Sequence, residues 1–110
     1  MVPRATTATK LIDRMTRRIV RRFRPERVIL FGSCARGEAG PDSDVDLLVV
    51  LPIEGSKREK RIEIRLALHD IRVPTDVIVS TPEEFAWRKD IVGTIEYPAA
   101  HDGRVLYEHG

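Results

Sequence analysis

Apolar residues recur at helical spacing over residues 7–23, where Leu11, Ile12, Met15, Ile19 and Phe23 form one stripe. Arg14, Arg17, Arg18 and Arg21 project from the opposite side, and Pro25 ends the pattern. Val28-Ile29-Leu30-Phe31 is a short apolar run bounded by Gly32, which predicts a buried strand, and Val45 to Leu51 predicts a second one closed by Pro52. Residues 56–72 return to helical spacing through Ile64, Ala67, Leu68 and Ile71, with Pro74 as the stop. Asp76-Val77-Ile78-Val79 predicts a third strand. Thr81-Pro82-Glu83-Glu84 has the form of a capping box with proline at the first helical position, opening a helix expected to reach Glu96 and end near Pro98. A turn at Asp102-Gly103 leads into a last strand, Arg104 to Tyr107. The pattern predicts an α/β (α+β) domain: a small mixed β-sheet of about four strands with helices packed against it. Nothing divides it, so residues 1–110 are expected to form a single domain.

Composition narrows the function classes. The chain is 42% hydrophobic and 33% charged, as a globular domain is. No apolar run approaches the ~20 residues that span a bilayer, and no apolar segment follows the first ten residues as a secretory signal would require. A single cysteine, Cys34, excludes an internal disulfide framework. Together these features predict a cytoplasmic protein. The net charge of +2 is too mild to argue for nucleic acid, yet the charges are unevenly placed. Residues 10–27 carry eight Lys and Arg against Asp13 and Glu26, while acidic residues gather later, several in one loop and strand.

That loop carries the candidate chemistry. Gly32 and Ser33 follow the first strand, and Asp44 and Asp46 open the second. Two residues apart at a strand start, these carboxylates leave one face of the sheet and repel unless a cation lies between them. Hard cations such as Mg²⁺ take oxygen ligands from carboxylates and phosphates together. Gly32 permits close backbone approach, and Ser33 offers a hydroxyl and an N–H to phosphate. Asp76, at the head of another apolar strand, supplies a third carboxylate suited to a two-metal arrangement.

The segment ILFGSCARGEAGPDSDVDLLVVL resembles the signature of the minimal nucleotidyltransferases, a compact branch of the DNA polymerase β-like superfamily. The family pattern of Gly-Ser, ten residues, then Asp-x-Asp falls on Gly32, Ser33, Asp44 and Asp46. Ala35-Arg36-Gly37 and Ser43 are also similar, as is Thr75-Asp76-Val77. The resemblance covers roughly residues 26–108. It implies that Asp44 and Asp46 ligate Mg²⁺, with two ions expected, and that Asp76 is a third ligand or the base. It implies that Gly32 and Ser33 hold the triphosphate of ATP with help from Arg36, and that Ser43 shapes the turn at the nucleotide site. It further implies an antitoxin that transfers AMP from ATP to a tyrosine of a separately encoded HEPN-domain toxin. Two other readings are kept: transfer to a small-molecule hydroxyl, and a silent module that binds toxin or nucleotide without turnover.

Other conspicuous residues have plainer expected roles. Cys34 is expected to be a small, half-buried thiol. His69, His101 and His109 are isolated, and Phe85 and Trp87 are expected in the core. The arginine face of the first helix is expected to be solvated. Ile62 and Leu66 lie off the buried stripe of the second helix, so they are either sandwiched in core or offered to a partner. The second reading is preferred for a domain too short to enclose a small acceptor.

Overall fold

The computed structural model describes residues 3–37 and 44–109. In chain order the elements are α1 (Pro3–Phe23), β1 (Arg27–Phe31), β2 (Val45–Val50), α2 (Lys57–Ala67), β3 (Thr75–Ser80), α3 (Pro82–Arg88), α4 (Glu96–Asp102) and β4 (Arg104–Glu108). The strands form one sheet in the order β3-β2-β1-β4. β2 and β3 are parallel, joined through α2, whereas β1 runs antiparallel to both β2 and β4. This is the mixed four-stranded α+β sheet that the pattern predicts.

Side-chain alternation gives the sheet two apolar faces. On the first, Met15 and Ile19 of α1, Ile64 of α2 and Leu68 just beyond its end pack on Val28, Leu30, Leu47, Val49, Val77 and Val79. On the second, Phe85 of α3 and Ala99 of α4 cover Ile29, Leu48 and Val50. Each fully buried Leu or Ile contributes roughly 1.5–3 kcal/mol of burial free energy. The second face has the smaller buried cluster, and the strand ends nearest the Gly32 turn carry carboxylates there.

Helix ends follow local chemistry. α1 stops where Arg24 turns into the left-handed region (φ 49), immediately before the buried Pro25. The second helix is shorter than the residues 56–72 expected. Ser56 caps it by accepting from the Glu59 amide, and it closes at Ala67, after which turns carry the chain to Ile71. Arg18 reaches across from α1 to donate to the Ala67 carbonyl (3.0 Å) and to pair with Asp70. It therefore closes α2 instead of joining a fully solvated arginine face.

The segment after β3 also departs from expectation. The Thr81 capping box is present, but two short helices replace the single one expected to Glu96. Gly93 (φ +100) breaks the run, and the Thr94 hydroxyl satisfies both sides of the break. It lies 2.9 and 2.8 Å from the Arg88 and Ile91 carbonyls and accepts from the Tyr97 amide at 3.2 Å. Pro98 sits in the first turn of α4, where a missing N–H costs no helical bond, so it starts a helix instead of ending one. The break lets Glu96 turn inward, 4% exposed, to accept from the Ser80 hydroxyl at 2.9 Å. Trp87, expected in the core, is 61% exposed; only Phe85 is buried. Gly103 passes α4 into β4 so closely that a Cβ there would lie 2.3 Å from the Ala99 carbonyl oxygen.

Candidate active site

The register of the sheet assembles the acidic residues. Phe31 of β1 pairs with Asp46 of β2, and Asp46 pairs with Asp76 of β3. One row across three strands therefore reads Phe31, Asp46, Asp76. Val45, Leu47 and Val49 belong to the first core and Leu48 and Val50 to the second, so Asp46 projects from the second face by alternation. The same argument places Asp76 there, because Val77 and Val79 pack in the first core while Ile78 packs on the second. Adjacent strands lie about 4.8 Å apart, which brings these two carboxylates together. Asp44, two residues ahead of Asp46 and just outside β2, is exposed.

Charge confirms the convergence. Burial raises the Asp46 carboxyl above its ordinary pKa, and the negative charges of Asp76 and then Asp44 raise it further. All three aspartates thus share one electrostatic neighbourhood. Among the described residues they do not close into a ready-made cage of three metal ligands. An open carboxylate group suits Mg²⁺, which keeps several waters and substrate phosphate oxygens around one or two protein carboxylates.

Gly32 explains how Asp46 fits. Its backbone is left-handed (φ +76), and a Cβ built there would lie 2.4 Å from Asp46 Oδ2. The missing side chain is the space in which the carboxylate sits. Beyond Gly32 the chain makes a tight turn: the Gly32 carbonyl accepts from the Ala35 and Arg36 amides, at 3.2 and 3.3 Å. The Ser33 and Cys34 amides stand ahead of these bonded groups, at the head of the turn. Ser33 is half-buried beside the acidic row and Arg36 is exposed at the end of the turn. Ser43 lies outside the described residues.

Cys34 has a structural role that the sequence does not disclose. Its thiol donates to the Asp44 carbonyl at 3.3 Å, tying the Gly32 turn to the head of β2. Burial and the charges of Asp46 and Asp44 push the thiol above its ordinary pKa, the reverse of what a nucleophile needs. A second tie, the Val45 amide to the Pro74 carbonyl at 2.8 Å, fixes β2 against the entry to β3. The Gly32 turn and both acidic strands are thereby held as one unit.

Comparison with known proteins agrees with this geometry. The chain is similar in fold to a solved structure from Sulfolobus solfataricus named as a nucleotidyltransferase, with a TM-score of 0.67 and 23% identity over 96% of this chain and 84% of that one. It is also similar to a chain in a crystal structure described as a toxin-antitoxin with AMP-PNP, with a TM-score of 0.56 and 16% identity over 88% of this chain and 73% of the other. No curated protein matches the chain. The family model of the nucleotidyltransferase domain matches residues 12–99, a span that contains β1, the Gly32 turn, Asp44, Asp46 and Asp76, and this chain belongs to that family.

Proposed function

We propose that this domain is a Mg²⁺-dependent adenylyltransferase that moves AMP from ATP to a tyrosine hydroxyl of a HEPN-type toxin, acting as its antitoxin in the cytoplasm. The observation that carries the reading is the row of Asp46 and Asp76, joined by Asp44, on the sheet face beside the Gly32 turn. Membership of the nucleotidyltransferase domain family supports the reaction class. The likeness to a toxin-antitoxin structure with AMP-PNP supports a protein acceptor and an adenine nucleotide.

In this reading the reaction needs little covalent work from the protein. The acceptor oxygen bonds the α-phosphorus of ATP, the bond from that phosphorus to the bridging oxygen breaks, and pyrophosphate leaves. The hydroxyl proton passes to a carboxylate, with Asp76 as the base in reach of the row. Ser33 and the amides at the head of its turn face the triphosphate, and Arg36 offsets its charge. Asp44, Asp46 and Asp76 would hold Mg²⁺, two ions in the full arrangement, which when bound offsets the charge of the phosphates and relieves the repulsion between the carboxylates.

The test is intact-mass spectrometry of a HEPN-type protein encoded beside this chain, incubated with it, Mg²⁺ and ATP. Gain of one AMP on a tyrosine, absent with Asp46→Asn, is the expected result. AMP on a small metabolite instead, or none on either acceptor, refutes the reading.

A further inference from the structure

Helix α2 has a second stripe that the fold does not use. Its inner stripe, Ile64 and Ala67, continued by Leu68 at the C-cap, is buried. Arg58, Arg61, Ile62, Arg65 and Leu66 recur at the spacing of another helix face and line an open groove of about 510 Å³. Ile62 is 46% and Leu66 65% exposed. The three guanidinium groups make no hydrogen bond or ion pair among the described residues, whereas Arg17, Arg18, Arg27 and Arg88 are all paired. The acids of the helix are spent elsewhere: Glu59 bonds Ser56, and Glu63 pairs with Lys60. The result is an apolar pair framed by unneutralised positive charge.

Arg65 also lines a second cleft, of about 260 Å³, whose other walls include Leu68, Ile71, Thr75 and Val77. The two hollows thus join into one strip along α2 to the head of β3, an edge strand. Thr75 turns to the α1 side, its hydroxyl 3.5 Å from Met15 Sδ, so the strip ends at the same strand head as Asp76 but on the opposite face of the sheet.

We infer that this strip docks an acidic, amphipathic helix of a protein partner, with apolar side chains on Ile62 and Leu66 and carboxylates on Arg58, Arg61 and Arg65. Two other occupants fit less well. A second copy meeting this face through a two-fold axis would set three arginines against three arginines. A nucleic acid strand would meet an aliphatic centre with no aromatic ring on which to stack a base. The exposed Trp87, Ile91 and Val92 form another apolar patch, but Arg88, Lys89 and Asp90 among them give it no single sign of charge. The inference rests on the protein-acceptor reading for its biological sense, and on the groove alone for its chemistry.

The probe is a labelled eighteen-residue helical peptide with leucines at i, i+3, i+4 and i+7 flanked by glutamates, titrated with the full chain by fluorescence anisotropy. Ile62→Asp with Leu66→Asp, and separately Arg58→Glu with Arg61→Glu and Arg65→Glu, are each expected to weaken binding by about tenfold or more. A lysine-flanked version of the peptide should recover binding to the charge-reversed protein. Trp87→Ser and Asp46→Asn should bind as the parent does, which keeps docking separable from transfer. All substituted positions on α2 are exposed, and unchanged melting confirms that the variants fold. Equal binding by parent and α2 variants overturns the inference. So does preferential binding of a single-stranded RNA lost on the same variants, or self-association of the chain through this face. Transfer failing to every protein acceptor while the peptide still docks refutes the proposed reaction and leaves the docking face standing.

Discussion

Substituting Gly32 by alanine separates the cost of a strained backbone from the cost of a displaced carboxylate. The left-handed conformation at Gly32 (φ +76) costs an L-residue about 1–2 kcal/mol. For a domain of this size that is a fall in Tm of roughly 5–10 °C. The steric term acts elsewhere. The new Cβ would lie 2.4 Å from Asp46 Oδ2, where ordinary contact begins at 3.4 Å, with Asp46 Cγ at 3.3 Å. A terminal carboxylate rotates away cheaply, so little further stability is lost, but it moves by about 1 Å, enough to cost on the order of a hundredfold in rate at a reacting centre. Gly55→Ala is the matched control, because Gly55 is also left-handed (φ +92) and an added methyl there would have nothing within 4 Å. The assay pairs thermal melting with transfer of label from α-phosphate-labelled ATP. Both variants should melt lower by similar amounts, and only Gly32→Ala should lose turnover. Near-parental turnover in Gly32→Ala, or equal loss in Gly55→Ala, would refute the argument that Gly32 exists to seat Asp46.

Two further predictions concern charge and pH. The raised carboxyl of Asp46 means that the folded state prefers it neutral, so its ionised form costs stability once pH exceeds the raised value. Asp46→Asn should therefore melt above the parent in chelator at pH 7, the gap opening as pH rises from the ordinary carboxylate value of about 3.9 through the raised one; a variant that melts lower at pH 7 contradicts the repulsion. Asp70 has the opposite sign, because the Arg18 hydrogen bond holds its carboxyl below the usual range. Its stabilisation is present above about pH 3.9 and lost as pH falls through the depressed value, so the Tm deficit of Arg18→Ala should shrink in acid. A deficit that stays constant down to acid pH would assign the whole effect to the Ala67 carbonyl.

The site was legible where its logic is local. A glycine after one apolar run and carboxylates at the heads of two others can be read along the chain, and the fold brings Gly32, Asp46 and Asp76 together with Asp44 nearby. The pairing of Asp46 with Asp76 was not legible, because it depends on β2 and β3 being parallel and in register across a connection that contains α2. The purpose of Gly32 was read only in part: sequence suggested room for a phosphate, whereas the fold gives the room to Asp46. Cys34 was read by size, and its bond to the Asp44 carbonyl is a contact across ten positions that no spacing encodes. Long-range polar partners account for Arg18 in the same way, since Asp70 lies fifty-two positions away.

The misread segment after β3 has a single physical cause. Its apolar positions at Phe85, Ile91, Val92 and Ile95 are compatible with one continuous helix, and Pro98 looks like its terminator. A continuous helix would have to carry Gly93, at about 1 kcal/mol relative to alanine, and would leave Thr94 competing with the backbone for its own bonds. Breaking there turns both residues to use, because Thr94 serves the carbonyls behind it and the amide ahead of it. The break also swings Glu96 onto Ser80 at the far end of β3, on the same sheet face as Asp76 by alternation. Asp76 and Ser80 are four residues apart on one strand, about 13 Å. The kink therefore packs the helices against one end of that face and leaves the acidic end to the Gly32 turn, a division that a single long helix across the sheet would not make.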